Sequence, residues 1–266
     1  MMKIVVAVKQ VAALDEEFEL LDDGAGVDPD FLEWDLNEWD TFSLEAALEL
    51  RDSAGGEGDE VVAITVGEEE AEEGLRSCLA KGADRAIRVW DESLAGADAL
   101  AVARVLAAVL ERESPDLVLC GVQSSDAVNG STGTALAGYL DMPRVAVVTH
   151  LDWDAAGGTA TVHRELEGGL IEVLRIRTPA LLTIQTGINE PRYATLRAIK
   201  QAREKPLELV SPDGLGLDEA AVQAAAGSRT VALAPPERGA GAEMLDGSAD
   251  AVAARIIEIV GERMAG

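Results

Sequence analysis

The chain has 266 residues, is 48% apolar, and carries 49 Asp and Glu against 22 Lys and Arg, a formal net charge of −27. That length suits one large α/β core plus an extension, and the charge disfavours nucleic acid as a partner, because phosphate is bound mainly through Lys and Arg. So acidic a surface repels itself at low salt, which fits either a halophilic cytoplasm, where salt screens the repulsion, or an acidic mesophilic protein; the scarcity of Lys favours the halophile.

The first half alternates strand and helix signals. Met1 to Val11 is too short an apolar run for a signal peptide, and within it Lys3–Val8 suits a strand buried on both faces. Phe42–Arg51 places Leu44, Ala47 and Leu48 at helical spacing, and Glu60–Val66 is a second buried strand closed by Gly67. Glu68–Lys81 reads as a helix with an acidic first turn, favourable against the helix dipole, and Gly82 just past its end. A third strand follows at Arg85–Trp90, then an Ala-rich helix at Asp98–Arg112, then a fourth strand at Asp116–Cys120. The loop Gly121–Gly133 leads into a helix over Thr132–Leu140, and Arg144–Leu151 is a fifth strand. This alternation implies right-handed crossovers and an α/β, doubly wound, mostly parallel sheet.

The pattern then changes. Thr159–Arg164 and Leu170–Arg175 flank Glu167-Gly168-Gly169, which predicts a β-hairpin with a Gly-Gly turn. A buried-looking strand at Pro179–Gln185 leads to Asn189-Glu-Pro-Arg-Tyr-Ala-Thr-Leu196, a polar turn with an apolar tip, and then a basic helical run from Arg197 to Lys205. Beyond Pro206 the composition shifts to Gly, Ala, Pro and Asp, so Ser211–Glu243 reads as an extended arm and Leu245–Met264 as an amphipathic helix. The division expected is 1–206 for the α/β domain, with a recognition segment near 184–206, and 207–266 for the arm and helix.

No stretch approaches the roughly 20 apolar residues of a membrane span. Cys78 and Cys120 are far apart and form no CxxC, which argues against a disulfide framework or metal site and for a reducing cytoplasm. Asn129-Gly130-Ser131 matches a glycosylation sequon, by chance in an intracellular chain. His150 and His163, the two histidines, fit no triad and read as structural or surface residues.

The chemistry concentrates in Gly121–Gly133, which leaves a strand and enters a helix, where open α/β sheets bind ligands. Gly130 and Gly133 permit close backbone approach, and Ser131 and Thr132 bring hydroxyls and N–H groups to a helix N-terminus, an anion site. The loop lacks the Lys of a Walker sequence and is not GxGxxG, so an ordinary strand–helix connection with a Ser or Thr cap stands beside the nucleotide reading.

Six motifs in order resemble the β subunit of electron transfer flavoproteins, across roughly residues 2 to 206. They are Val6–Val11, Asn37-Glu-Trp-Asp40 with Leu44-Glu45, Gly82-Ala-Asp-Arg85, the Gly121 loop, Arg164-Glu165 with Gly168-Gly169, and Asn189–Leu196. The resemblance implies an adenine nucleotide α-hydrolase-like fold and a heterodimer with an α subunit, the two sharing a redox-active FAD. This chain would then accept electrons from dehydrogenases, such as acyl-CoA dehydrogenases, and pass them to an electron transfer flavoprotein–quinone oxidoreductase or a FixCX-like acceptor. It implies a structural AMP held by Ala7, Asn37, Asp40, Val66, Gly121, Gln123, Asp126, Asn129, Gly130, Ser131 and Thr132, with the backbone of Ala7 and Val66 on the adenine side. In a FixA-type, electron-bifurcating member a second FAD takes the place of AMP. Val122, Gly130-Ser131 and Glu38 depart from the usual pattern and leave the nucleotide open, while Thr132-Gly133 looks more like the AMP type.

The resemblance also gives Arg192, Tyr193 and Leu196 to partner docking, with Leu196 as an apolar anchor; a core leucine closing a turn is the alternative. Arg164 and Glu165 become contacts to the α subunit, or else a solvated hairpin charge pair. The arm after Pro206 wraps that subunit. A stand-alone universal-stress-type nucleotide-binding protein is the rival of another class, but it requires neither Asn189–Leu196 nor the arm. An ATP pyrophosphatase lacks its Ser-Gly-Gly-x-Asp loop here.

Overall fold

The structure, a computed structural model, describes residues 2–14, 19–21, 24, 26–28, 32–234, 241–242 and 244–265. It divides into two compact units, Met1–Ala232 and Leu233–Gly266. In the first, the chain lays down β1 (Lys3–Ala7), β2 (Gln10–Leu14), β3 (Leu32–Leu36), α1 (Glu38–Ala54), β4 (Glu60–Val66), α2 (Ala71–Lys81), β5 (Arg85–Val89) and α3 (Ala99–Glu113). There follow β6 (Leu117–Gly121), α4 (Thr132–Tyr139), β7 (Arg144–Asp154), β8 (Thr159–Leu166), β9 (Leu170–Arg177), β10 (Ala180–Ile184), α5 (Leu196–Ala202), β11 (Leu207–Val210) and α6 (Glu219–Ala225).

A nine-stranded sheet runs in the order β11-β5-β4-β1-β6-β10-β7-β8-β9. Every pairing from β11 to β7 is parallel, and β7-β8-β9 is antiparallel. The central strands read as unbroken apolar runs because helices cover both faces. β1 shows how the two-residue period sorts them. Ile4 and Val6 join the cluster with Leu44 and Leu48 of α1 and Leu75 and Leu79 of α2. Val5 and Ala7 join the cluster with Val105 and Val109 of α3 and Leu136 of α4. The doubly wound fold expected from the sequence is the one observed.

The chain reverses its direction of travel across the sheet between β1 and β6. From β1 it proceeds to β4 and β5 on one side, and from β6 to β10 and β7 on the other. The loops after these two adjacent strands therefore diverge and leave a crevice at their C-terminal ends.

The structure departs from the sequence reading in four places. The first apolar run is two strands, and β2 pairs antiparallel with β3 in a separate two-stranded sheet. β7 continues to Asp154 past a register shift, where Val147 sits at φ +62°, and pairs with β8, so the expected hairpin is part of a three-stranded meander. Its tip holds the predicted Gly168 and Gly169, both at positive φ. The α1 helix starts four residues before the Phe42 expected and ends at Ala54.

The last departure concerns the segment after Pro206, expected as an arm. Residues 207–210 add edge strand β11 to β5, and Leu217 and Val222 are buried in the cluster under α3. This part has a core after all, and the first unit extends to Ala232. In the second unit, α7 (Ala249–Ala265) exposes Ile256, Ile257, Val260 and Met264. Residues 235–240 and 243 of the expected arm lie outside the described residues.

Gly133 illustrates how tightly α4 seats on the sheet. A Cβ there meets Cys120 Sγ and Thr183 Cγ2 at 2.7 Å, both on buried residues, whereas one at Gly138 in the same helix meets nothing within 4 Å. Gly133→Ala is expected to cost about 1–3 kcal/mol by overpacking, and Gly138→Ala to be neutral or to stabilise by up to about 1 kcal/mol, as read by urea unfolding.

Candidate functional site

The crevice is a cleft of about 400 Å³ at the C-terminal ends of β1, β4 and β6. Ten of the eleven residues assigned to a nucleotide line it: Ala7, Asn37, Asp40, Val66, Gly121, Gln123, Asn129, Gly130, Ser131 and Thr132. Asp126 is not among its lining residues. Its carboxylate instead accepts hydrogen bonds from Lys9 Nζ at 2.7 Å, and Lys9 does line the cleft. Burial raises the pKa of Asp126, but the bonds from Lys9 and Ser124 outweigh that and hold it low.

The floor is set by the first turn of α1. Asp40 is 4% exposed. One carboxylate oxygen accepts the Gly121 N–H at 2.9 Å and the other the Lys9 N–H at 2.8 Å, so a single side chain ties together the loops leaving β1 and β6. Asn37, 1% exposed, adds a second tie. Its Nδ2 donates to the Gln123 carbonyl at 2.8 Å and its Oδ1 accepts the Ser125 N–H at 3.2 Å. Gly121 is required by this packing, because a Cβ there meets Asp40 Oδ1 and Trp39 Cβ at 2.5 Å. Gly133 is likewise demanded by the sheet beneath α4 rather than by a ligand's approach, as the sequence reading had it.

One end of the cleft is polar. Ser131 stands at the N-terminus of α4 and makes no side-chain capping bond, so it does not serve as the ordinary helix cap. Ser131 and Thr132 line this end at the N-terminus of α4, a place suited to an anion, while the Lys9 ammonium beside it is already paired with Asp126. At the apex of the preceding loop Val128 takes φ +52°, held by its N–H bond to Ser124 O at 3.0 Å. A β-branched residue in that region stores of order 1–3 kcal/mol. The other end is apolar, walled by Val66, Val102 and Leu106.

Two parts of the wall escaped sequence reasoning. Gly96–Ala99, the turn into α3, lines the cleft, as do Ser228 and Thr230 from beyond α6. Asp98 joins them: it caps α3 through the Leu100 and Ala101 N–H groups and accepts the N–H groups of Gly227 and Ser228, each at 2.8 Å, and the Ser228 hydroxyl. Asp98 before an apolar helix was a visible capping signal. Nothing in the sequence marked Ser228 as its partner.

The Asn189–Leu196 segment lies elsewhere, against the other half of α1. Asn189 Nδ2 donates to the Phe42 carbonyl at 3.0 Å. Arg192 donates its N–H, Nε and NH2 groups to the buried Glu45 and its NH1 to Asp52. Thr195 caps α5. Arg192, expected as a docking residue, is thus spent within the chain and holds the segment down. Tyr193 and Leu196 project outward at 96% and 81% exposure, with Ile199 beside them, so Leu196 is no core leucine. On the meander, Arg164 pairs with Glu172 rather than with the adjacent Glu165, which is exposed. His150 and His163 pack against each other across β7 and β8, with ring centroids 4.6 Å apart and planes tilted by 38°. Among the described residues no group of three or more His, Cys, Asp or Glu could hold a metal, and no helix is long and apolar enough to cross a membrane.

Burial is the largest influence on Asp40 and pushes its carboxyl up to about 7, against the Lys9 and Gly121 N–H bonds, Asn37 and the Lys9 charge. A raised folded pKa means stability that is fully present below the unfolded value of 3.8 and lost as pH rises through about 7. Asp40→Asn is expected to remove this slope. The unfolding free energy of the native chain minus that of the variant falls between about pH 4 and pH 7, measured by urea titration; a difference independent of pH would contradict it.

Comparison with known proteins adds a second line. A family model described as the electron transfer flavoprotein domain matches residues 29–215. An electron transfer flavoprotein subunit beta of Methylophilus methylotrophus is 50% identical over 262 residues, covering 98% of each chain. The human protein of that name is 37% identical over 220 residues, 82% of this chain and 84% of its own, and that of Bacillus subtilis is 35% identical over 206 residues, 77% and 78%.

Proposed function

The chain belongs to the family of electron transfer flavoprotein β subunits, and from that premise we propose that it works as half of an electron carrier. It pairs with an α subunit, and the two share an FAD that dehydrogenases, of the acyl-CoA dehydrogenase kind, reduce and that a quinone reductase reoxidises. The FAD supplies the one- and two-electron chemistry when bound. The chain's own residues bind, orient and dock, which agrees with a cleft whose one strongly buried acid, Asp40, is engaged by backbone N–H groups rather than aimed at a substrate.

The cleft is the seat of a mononucleotide, AMP. Its apolar end accepts a flat base, and its polar end offers an uncapped helix N-terminus with the Ser131 and Thr132 hydroxyls to a phosphate. At about 400 Å³ it is near the small end of ligand pockets, roughly 300–1,000 Å³, which favours AMP over the longer FAD of an electron-bifurcating relative. The meander tip is the contact to the α subunit: around Arg164 and Glu165 it exposes Leu166, Leu170, Ile171 and Val173. An exposed apolar patch of this kind marks an interaction surface.

The observation that carries the docking role is Leu196, an apolar side chain 81% exposed on a segment pinned at Asn189 and Arg192. A rigid, protruding apolar anchor suits a partner's pocket. Leu196→Ala is expected to weaken the encounter by about 2 kcal/mol, roughly a 30-fold rise in the carrier concentration that half-saturates a partner dehydrogenase. Flavin content and unfolding midpoint should stay unchanged. Unaltered transfer kinetics would rule the anchor out.

A further inference from the structure

One wall of the nucleotide cleft belongs to no strand or helix. Residues 227–230 follow α6 within the first unit, and two of them, Ser228 and Thr230, line the cleft. A spacing of two is that of an extended segment showing one face. Asp98 holds this strap in place. Its Oδ2 accepts the Gly227 and Ser228 N–H groups, each at 2.8 Å, and the Ser228 hydroxyl at 3.0 Å. Its Oδ1 accepts the Leu100 and Ala101 N–H groups at 3.1 and 2.9 Å. Among the described residues, residues 227–230 make no other hydrogen bond. The seat is close, since a Cβ on Gly227 would meet Leu100 Cδ1 at 2.7 Å.

A helix cap needs one acceptor, and Ser, Thr or Asn supplies it as well as Asp does. The second carboxylate oxygen is therefore surplus to the cap, and the strap takes all of it. Its position is set by the same helix. Val102 and Leu106, about one and two turns after Asp98, wall the apolar end of the cleft with Val66. The strap thus lies at the end assigned to the base, away from Ser131 and Thr132.

We propose that Asp98 is a positioning residue of the nucleotide site, fastening the strap against the base of a bound nucleoside monophosphate. Thr230, whose N–H, C=O and hydroxyl have no partner among the described residues, offers them to that base. An unfastened strap would have to be ordered by the ligand itself, at a cost in affinity. The inference rests on the mononucleotide reading of the cleft and adds to it a base-end clamp that the Gly121–Gly133 loop does not supply.

Asp98→Ser separates the two oxygens, because serine still caps α3 but is too short to reach the strap as well. The complex purified with its α subunit is equilibrated with 14C-AMP by dialysis, and the label is displaced with ribose 5-phosphate, which has the sugar and phosphate without the base. Asp98→Ser is expected to raise the AMP dissociation constant on the order of tenfold and to leave that of ribose 5-phosphate unchanged. Ser228→Ala, which removes one of the strap's bonds at an exposed residue, should raise the AMP constant about threefold alone and not at all in the Asp98→Ser background. Equal AMP affinity in native and variant complexes, an equal loss for ribose 5-phosphate, or additive effects of the two substitutions would overturn the strap's role while leaving AMP in the cleft. A native complex that neither contains nor takes up AMP would overturn the mononucleotide reading and the strap's role with it.

Discussion

A buried carboxylate at the point where the sheet changes direction holds the molecule's working end together. Parallel strands that diverge must leave backbone N–H groups at the switch point with no strand beside them, and such groups have to be satisfied. Asp40 does this for Lys9 after β1 and Gly121 at the end of β6 at once. Burying a carboxylate costs several kcal/mol before its bonds offset it, and the rise of Asp40 to about 7 shows that burial outweighs them. The gain is a fixed cleft. With Asn37 holding Gln123 and Ser125, the loop that lines the cleft is set by a helix behind it.

The same helix serves the Asn189–Leu196 segment. Phe42, Glu45 and Asp52 follow Asp40 along α1 and receive Asn189 and Arg192. Asn189 and Arg192 of the segment are consumed inward, and Tyr193 and Leu196 are left outside. That division reverses the usual rule for a surface turn, and it is stable only because the inward bonds fix the chain. The proposed docking role gains from such preorganisation, since little ordering entropy remains to be lost on contact.

Much of this was legible in the sequence because the core strands are apolar on both faces and leave little choice of period. Lys3–Val8, Glu60–Val66 and Pro179–Gln185 were read nearly as they stand, and the Gly168-Gly169 turn was placed by its chemistry. β2 and β3 were missed because Gln10 follows β1 without a turn residue and Leu32-Glu-Trp-Asp-Leu36 exposes its middle; only their mutual pairing makes them strands. Edge strand β11 is four residues long behind a proline, and its partner β5 lies more than a hundred residues earlier. The cleft wall at Ser228 depends on Asp98, a contact across the chain that no local pattern encodes. Arg192 and Tyr193 sit side by side in sequence with equal claim to docking, and only the position of Glu45 separates the clamp from the exposed ring.

The proposed seat of a mononucleotide is the cleft that Asp40 and Asn37 hold in shape. The direct measurement is to denature the purified complex with its α subunit and identify the released nucleotides by chromatography. One AMP and one FAD per heterodimer is the predicted result. Two FAD and no AMP, or no nucleotide other than a single FAD, would contradict it.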